Sequence, residues 1–181
     1  MSPQKTAQSW QQITSGQAQR EDFMALSTLL TGALLHDSWE HILYNLLSLW
    51  IFAGLVGELI GARWMSTLLL ITALCGSLGD LLLRAGSDIP SLGASGMVMG
   101  FEGAYLGLAV RWTLPNPYIW PISYPIPPSR LMIMAAVGFA LDISGTISGT
   151  GNTAYGAHLG GFLSGLLFTS FIIGRPRTLA S

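Results

Sequence analysis

Long apolar segments separated by short polar ones dominate the chain from residue 40 onward. No charged residue lies between Glu40 and Glu58, and Asp142 is the only one between Leu131 and Gly174. About 20 largely apolar residues allow an α-helix to cross a bilayer. The pattern therefore predicts an all-α polytopic bundle of five membrane-spanning helices, at residues 40–58, 64–83, 94–112, 130–145 and 154–173.

The segments between the predicted spans are polar or rich in proline. Six of the nine prolines fall within 113–129, where they exclude a continuous helix. The aromatic residues of this region are expected at the membrane–water interface: Trp112, Tyr118, Trp120 and Tyr124. Residues 144–153 are mostly serine, glycine and threonine, which predicts a flexible connection. We divide the chain into a polar N-terminal segment (1–23), a membrane domain (24–174) and a short cytoplasmic tail (175–181).

Composition supports a membrane protein and excludes several other classes. Charged residues make up 9% of the 181 residues and hydrophobic ones 50%, whereas soluble domains carry about 25% charged residues. The mean hydropathy is +0.52. These values exclude a disordered chain, a nucleic-acid binder with a basic patch and an ordinary soluble enzyme. The single cysteine excludes a disulfide scaffold and a cysteine-ligated zinc site, and we predict no metal and no cofactor.

The distribution of arginine predicts the orientation in the membrane. If the first span enters from outside, five arginines face the cytoplasm: Arg63, Arg111, Arg130, Arg175 and Arg177. Among the loops between spans, only the one with Arg84 places a positive charge outside, in agreement with the positive-inside rule. We therefore expect a multi-pass protein of a cell membrane, with a bacterial plasma membrane as the first expectation. Residues 1–23 have neither the basic start nor the apolar stretch of a signal peptide.

Polar side chains within the spans are candidates for function, because a polar group is costly in hydrocarbon. His41 and Asn45 are four residues apart, so both lie on one helix face and could bind a single anionic oxygen. The alternative is an interfacial histidine and an asparagine bonded to a neighbouring helix. Asp37 or Ser38 is expected to cap this helix.

Ser95 lies between glycines at the start of the third span. Alone, a serine flanked by Gly93 and Gly96 also fits a helix N-cap. The glycines that follow recur at spacings of four, three and four and leave one helix face without side chains: Gly96, Gly100, Gly103 and Gly107. Such a face lets another helix approach closely in a membrane.

The last span carries a matching face, formed by His158, Gly161 and Gly165 at the same helical spacing. If this face packs on the glycine face of the third span, the imidazole of His158 comes near the hydroxyl of Ser95. Each glycine taken alone is explained by helix packing. Together, the serine, the histidine and the first-span pair are predicted to lie in the outer half of the membrane.

From about residue 22 to residue 173 the chain resembles the rhomboid intramembrane serine proteases. The resemblance rests on three motifs in the family's order: His41 and Asn45; Gly93, Ser95 and Gly96; and Ala157, His158, Gly161 and Gly165. His36, Glu58 and Gly61 also match residues that are common in the family. The resemblance implies a Ser–His dyad without a third carboxylate, with Ser95 as nucleophile and His158 as general base.

The resemblance also implies the rest of the site and its substrates. His41, Asn45 and the backbone N–H of Ser95 would bind the oxyanion, Gly93, Gly96, Met99, Gly161 and Gly165 would support the site, and the 144–153 loop would cover it. Substrates would be single-span membrane proteins, cut near the outer end of a helix that can unwind. Unwinding is needed because an intact helix keeps its scissile carbonyls in hydrogen bonds.

The chain departs from the family pattern in several places. Met99 stands where the family often has an aromatic residue against the catalytic histidine. Glu102 is expected deeper on the Ser95 face, either protonated or bonded to a polar neighbour such as Asn45, or with a water-linked role beneath the site. Asp80 is expected to reach the interface, whereas the sequence gives no account of Asp142. Cys75 is expected in the core.

The largest departure is a missing span, since the family core has six helices. We expect that the sequence is truncated or that its true start lies upstream; a further helix from another chain and a degenerate family member are the other readings.

Two other function classes stay open. The first is an inactive rhomboid-like protein that binds transmembrane segments, and the second is a small transporter or channel subunit that uses Glu102, Asp80 and Asp142.

Overall fold

The computed structural model describes residues 2–122, 124–149 and 153–176. Within these ranges the chain is all-helical, with a 3-10 turn at Gly32–Leu34 after the second helix. The helices are α1 (Pro3–Thr14), α2 (Arg20–Thr31), α3 (Trp39–Ile60), α4 (Ala62–Leu83), α5 (Ser95–Arg111), α6 (Pro128–Ser148) and α7 (Tyr155–Phe171). The five predicted spans thus correspond to α3–α7, and the all-α prediction is confirmed for the described residues.

The five helices differ in length. In the described ranges, three are long and apolar enough to cross a membrane, namely α3, α4 and α6. The helices α5 and α7 have 17 residues each, which corresponds to about 25 Å at 1.5 Å per residue. They are apolar but shorter than the outer helices.

Glycine brings the central helices α5 and α7 into direct backbone contact. A Cβ atom on Gly161 would collide with the carbonyl oxygen of Gly96, and one on Gly165 with that of Gly100. On its other side α7 packs against α4, where a Cβ on Gly156 would lie 2.7 Å from the Cα of Asp80. The predicted packing of the two glycine faces is therefore confirmed, and α7 is held between two neighbours.

The helix α3 packs on α5 through large apolar side chains. Phe52 and Val56 of α3 belong to one buried cluster with Phe101, Tyr105 and Leu108 of α5. Other apolar side chains of the outer helices are exposed: Trp39, Leu43, Leu47, Trp50, Leu70, Leu82, Ile133, Val137 and Leu141. A soluble protein rarely exposes so many large apolar side chains, so these surfaces are suited to lipid.

Arg111 caps the C-terminal end of α7. Its Nη1 donates hydrogen bonds to the carbonyl oxygens of Ser170 (2.5 Å), Ile173 (2.9 Å) and Thr169 (3.3 Å). The last carbonyls of a helix lack partners within the helix and carry partial negative charge. The guanidinium therefore both satisfies and neutralises the end of α7.

Two sequence predictions need correction, the flexible connection at 144–153 and the interfacial position of Asp80. Residues 144–148 are helical rather than flexible, because Thr146 and Ser148 donate their hydroxyls to carbonyls of their own helix, those of Asp142 and Ser144. Residues 150–152 of the predicted loop lie outside the described residues. The polar N-terminal segment contains α1 and the start of α2, so it is largely helical.

Asp80 is the second correction. Asp80 is 1% exposed and forms a two-point ion pair with Arg84, at 2.8 Å for both contacts. It is therefore buried in the bundle instead of reaching the interface. The indole N–H of Trp112 is buried and Tyr118, Trp120 and Tyr124 are exposed, and the interfacial position of these four residues stays a prediction.

Candidate active site

One cavity of about 710 Å³ lies at the end of the bundle where α5 and α7 begin. The four polar residues predicted to act together all line it: His41, Asn45, Ser95 and His158. They come from α3, α5 and α7, so the fold of three helices is required to assemble them. Thr153 and Ala154, at the end of the predicted covering loop, also line this cavity.

Ser95 is the first residue of α5, and the backbone two residues before it has a conformation that favours glycine. Gly93 has φ +104°, and a Cβ atom there would lie 2.6 Å from Nε2 of His41 and 3.5 Å from Nδ2 of Asn45. Glycine thus brings the backbone before Ser95 against these two side chains. As the first N–H of its helix, that of Ser95 has no partner within α5.

His41 lies in the first turn of α3, where two residues hold it. Ser38 is the N-cap and accepts a hydrogen bond from the backbone N–H of His41 at 3.2 Å. The carboxylate of Asp37 accepts a hydrogen bond from Nδ1 of the ring at 2.7 Å. This bond lowers the pKa of Asp37 below its ordinary value of 3.8.

The bond to Asp37 also fixes which ring nitrogen of His41 carries a proton. A carboxylate only accepts, so the proton is on Nδ1 and the lone pair of the neutral ring is on Nε2. His41 can therefore donate from Nε2 to an anion only when the ring carries a second proton.

Asn45 offers a donor that is already free. The side chain is 5% exposed, and its Nδ2 has no hydrogen-bond partner among the described residues. A buried amide without a partner costs about 1–3 kcal/mol. A buried donor without a partner, in the cavity that Ser95 also lines, is expected where an anionic ligand binds.

His36 supports the site from the loop before α3. Its Nε2 accepts a hydrogen bond from the backbone N–H of Ala94 at 3.4 Å, and its ring packs edge-on against that of His41, with centroids 5.0 Å apart. It therefore connects the residue preceding Ser95 to the first turn of α3. The sequence indicated only that His36 matches a residue that is common in the rhomboid family.

His158 is held by a carboxylate that the sequence did not assign. Its Nδ1 is 2.9 Å from Oδ1 of Asp142 on α6, and the ring of Tyr155 lies edge-on at a centroid distance of 6.4 Å. Met99 packs with Ala135 and Phe162. An aromatic neighbour of the histidine thus comes from Tyr155 in α7 rather than from position 99.

Ser95 and His158 share the cavity, but the structure records no hydrogen bond between the two side chains, both of which are among the described residues. In a site without substrate such bonds are often long and tighten on binding. The sequence could not predict the bond from His158 to Asp142, because Asp142 precedes the histidine by 16 residues and lies on another helix. A lone acidic residue within an apolar span was the only available signal.

Glu102 faces α6 rather than Asn45. Its Oε2 lies 3.5 Å from the position that a Cβ on Gly138 would take, and Asn45 has no partner for its amide nitrogen. Of the open readings for Glu102, a hydrogen bond with the amide nitrogen of Asn45, another described residue, is not formed. Within the described ranges, no group of three or more histidine, cysteine or acidic residues could hold a metal ion.

The bundle and its apolar outer surface define an all-α protein embedded in a membrane. The family model of the Rhomboid domain matches residues 24–175. The chain therefore belongs to the rhomboid family.

Curated relatives come from mitochondria, plants and bacteria. The chain is 28% identical over 168 residues to the mitochondrial Rhomboid protein 1 of Saccharomyces cerevisiae, which covers 90% of this chain and 47% of the relative. It is 34% identical over 151 residues to RHOMBOID-like protein 4 of Arabidopsis thaliana, with 82% and 34% covered. Against the rhomboid protease GluP of Bacillus subtilis it is 28% identical over 149 residues, with 82% and 26% covered. The chain spans less than half the length of these relatives.

Proposed function

We propose that this protein is an intramembrane serine endopeptidase, with Ser95 as nucleophile and His158 as general base. The observation that carries the proposal is the convergence of four polar groups on one cavity of a membrane-embedded helical bundle, those of Ser95, His158, His41 and Asn45. A serine needs a base to become nucleophilic, and an imidazole acts as such a base near neutral pH.

The proposed reaction proceeds by acyl transfer. The hydroxyl oxygen of Ser95 attacks the scissile carbonyl while His158 takes the hydroxyl proton. The carbonyl oxygen then becomes an oxyanion. In this proposal the amide of Asn45, the backbone N–H of Ser95 and the ring of His41 bind this oxygen, and the cavity that they line supports these roles. His158 then gives its proton to the leaving amine as the C–N bond breaks, and water releases the acyl group from Ser95.

We propose that all five helices α3–α7 cross the membrane and that the cavity opens on the outer side. The helices α5 and α7 begin at this cavity, and Ser95 and His158 line it, so water that enters the cavity can reach Ser95. The five-to-one arginine distribution supports this orientation. The relatives come from several kinds of membrane, so the bacterial plasma membrane stays a prediction.

The proposed substrates are single-span membrane proteins. A carbonyl in an intact helix is hydrogen-bonded to its own chain, so a segment with small or helix-breaking residues near its outer end is the expected target. The cavity is large enough, at about 710 Å³, to hold a few residues of an unwound strand.

The experiment that tests the proposal uses purified protein in detergent or liposomes. We expect cleavage of a single-span model substrate, and covalent labelling of Ser95 by a fluorophosphonate. The Ser95→Ala variant is expected to lose both signals completely. Cleavage by Ser95→Ala at the rate of the unchanged protein would overturn the proposal.

A second candidate is a rhomboid-like protein that binds transmembrane segments without cutting them. Met99 favours it, because the family often has an aromatic residue against the catalytic histidine at this position. Tight binding of the model substrate without cleavage and without fluorophosphonate labelling would select this function. The transporter hypothesis has less support, because two of its three acidic residues are engaged, Asp80 by Arg84 and Asp142 by His158.

A further inference from the structure

Asp142 of α6 extends its carboxylate across the helix interface to the imidazole of His158. The distance between Oδ1 and Nδ1 is 2.9 Å, and the side chains are 12% and 16% exposed. In the described part of the chain, the imidazole is the only cationic or potentially cationic group within ion-pair distance of this carboxylate. A buried carboxylate is costly unless it is hydrogen-bonded or paired, so this contact explains how Asp142 is tolerated within an apolar helix.

The contact selects one of the two neutral forms of His158. Because a carboxylate only accepts hydrogen bonds, the proton of the neutral ring lies on Nδ1 and the lone pair on Nε2. His158 lines the same cavity as Ser95. The ring therefore keeps its basic nitrogen available for the serine, whereas the opposite tautomer would have no lone pair on that atom.

The surroundings of the pair keep the ring in place. Tyr155 packs edge-on against His158, and the same tyrosine fills the space beside Gly145 of α6. Glu102 of α5 approaches α6 at Gly138, one helical turn before Asp142, and brings a second carboxyl group to this side of the imidazole. The two carboxyl groups differ in that only Asp142 is hydrogen-bonded to the ring.

We propose that Asp142 is a positioning residue that completes a Ser95–His158–Asp142 triad. It holds His158 with Nε2 free, and it stabilises the imidazolium formed when the proton of Ser95 moves to Nε2. Asp142 itself stays ionised throughout, and the proton on Nε2 leaves with the amine. The catalytic part of this inference rests on the proposed function, whereas the tautomer of His158 does not.

The tautomer can be measured by nitrogen NMR on protein with labelled histidine, at a pH where the rings are neutral. The chain has three histidines, and a His158→Gln variant identifies the relevant signal. We expect the proton on Nδ1 in the unchanged protein and a shift of population toward the Nε2 proton in Asp142→Ala. A proton on Nε2 in the unchanged protein, or the same tautomer in both proteins, would overturn the inference. This readout is valid whether or not the protein cleaves peptides.

The catalytic consequence is measured by the kinetics of cleavage in liposomes. In a soluble serine protease, loss of the orienting carboxylate lowers kcat about 10⁴-fold. For Asp142→Asn we expect kcat to fall by about 10²- to 10⁴-fold while KM stays within about threefold, since the carboxylate does not touch substrate. Asp142→Glu is expected to restore part of the rate.

Glu102→Gln is the matched control, because it removes a neighbouring carboxyl group that has no recorded bond to His158. Its kcat is expected to stay within about threefold of the unchanged protein. An Asp142→Asn enzyme with unchanged kcat would refute the triad, even though Ser95→Ala is inactive. Activity in Ser95→Ala would instead refute the proposed function, and the NMR result would still decide whether Asp142 positions the ring.

Discussion

Asn45 presents a buried amide nitrogen without a partner at the edge of the cavity. If this donor binds the oxyanion, replacing it should lower activity without lowering stability. We expect Asn45→Leu to lower kcat by about 10²- to 10³-fold, the usual effect of losing one such donor. The thermal unfolding temperature should stay the same or rise, because an unsatisfied buried polar group is replaced by an apolar one of similar size.

A matched control for Asn45→Leu is available at the far end of α7. The hydroxyl of Thr169 is fully buried and donates to the carbonyl of Ala104 at 2.9 Å. Thr169→Val has the same shape but removes the hydrogen bond that this hydroxyl donates between α7 and α5, so it should lower the unfolding temperature and keep kcat. If Asn45→Leu behaves in the same way as Thr169→Val, Asn45 is structural and donates nothing to the reaction.

Asp37 and His41 form a pair whose charge can be measured directly. The hydrogen bond from His41 lowers the pKa of Asp37 below 3.8. Because the folded pKa lies below the unfolded one, the stabilisation is present above the unfolded value and is lost as pH falls through the folded value. We expect a carbon NMR titration of the Asp37 carboxyl to give a midpoint below 3.8, and a midpoint nearer the ordinary value in His41→Ala. Equal midpoints would show that the two side chains do not interact in solution.

At the residue scale, sequence reasoning could name Ser95, His158, His41 and Asn45 because each is polar in an apolar span and belongs to a motif. It could not assign Asp142, since nothing in the chain indicates which side chain on another helix a lone carboxylate will meet. The same limit applies to Asp37. A residue at that position fits a helix cap equally well, and only the structure shows Ser38 as the cap and Asp37 on the ring of His41.

At the scale of the helices, the backbone contact between α5 and α7 determines where His158 lies relative to Ser95. A Cβ on Gly161 would meet the carbonyl of Gly96, which is backbone and cannot rotate away. We expect Gly161→Ala to destabilise the protein by about 1–3 kcal/mol, as overpacking of a close interface does. Activity should fall with it, because the two helices that carry the serine and the histidine are forced apart.

Gly54 on α3 provides the control for this substitution, since a Cβ there meets nothing within 4 Å. Gly54→Ala should raise stability by about 0.5–1 kcal/mol through the helix preference of alanine. Thermal unfolding in one detergent compares the two variants. Equal effects at both positions would mean that the close contact of α5 with α7 is not present in the folded protein.

The boundaries of the helices were predictable where apolar residues run without interruption, as in α3 and α4. They were not predictable at the end of α6, where serine, glycine and threonine read as a loop. Hydroxyl groups of Thr146 and Ser148 bond to carbonyls one turn earlier, and this satisfies their polar atoms within the helix. Composition alone cannot show whether a hydroxyl will bond in this way or compete with the helix.

The number of crossings is a property of the whole molecule, and two short helices decide it. In the described part of the chain, α3, α4 and α6 are long enough to cross, whereas α5 and α7 have 17 residues each. With five crossings, the loop between α5 and α6 lies on the side opposite the loop between α4 and α5. If α5 did not cross, both loops would lie on the same side.

Single cysteines in these two loops distinguish the two topologies. Asp88 and Asn116 are exposed and lie in the first and second loop, and a Cys75→Ser background removes the natural thiol. With five crossings and the cavity outside, a membrane-impermeant maleimide should label Asp88→Cys in intact cells and Asn116→Cys only after permeabilisation. Labelling of both in intact cells would contradict the five-span bundle, and the opposite pattern would invert the orientation. Since Ser95 follows Asp88 by only seven residues, the same experiment assigns the side of the membrane on which the cavity opens.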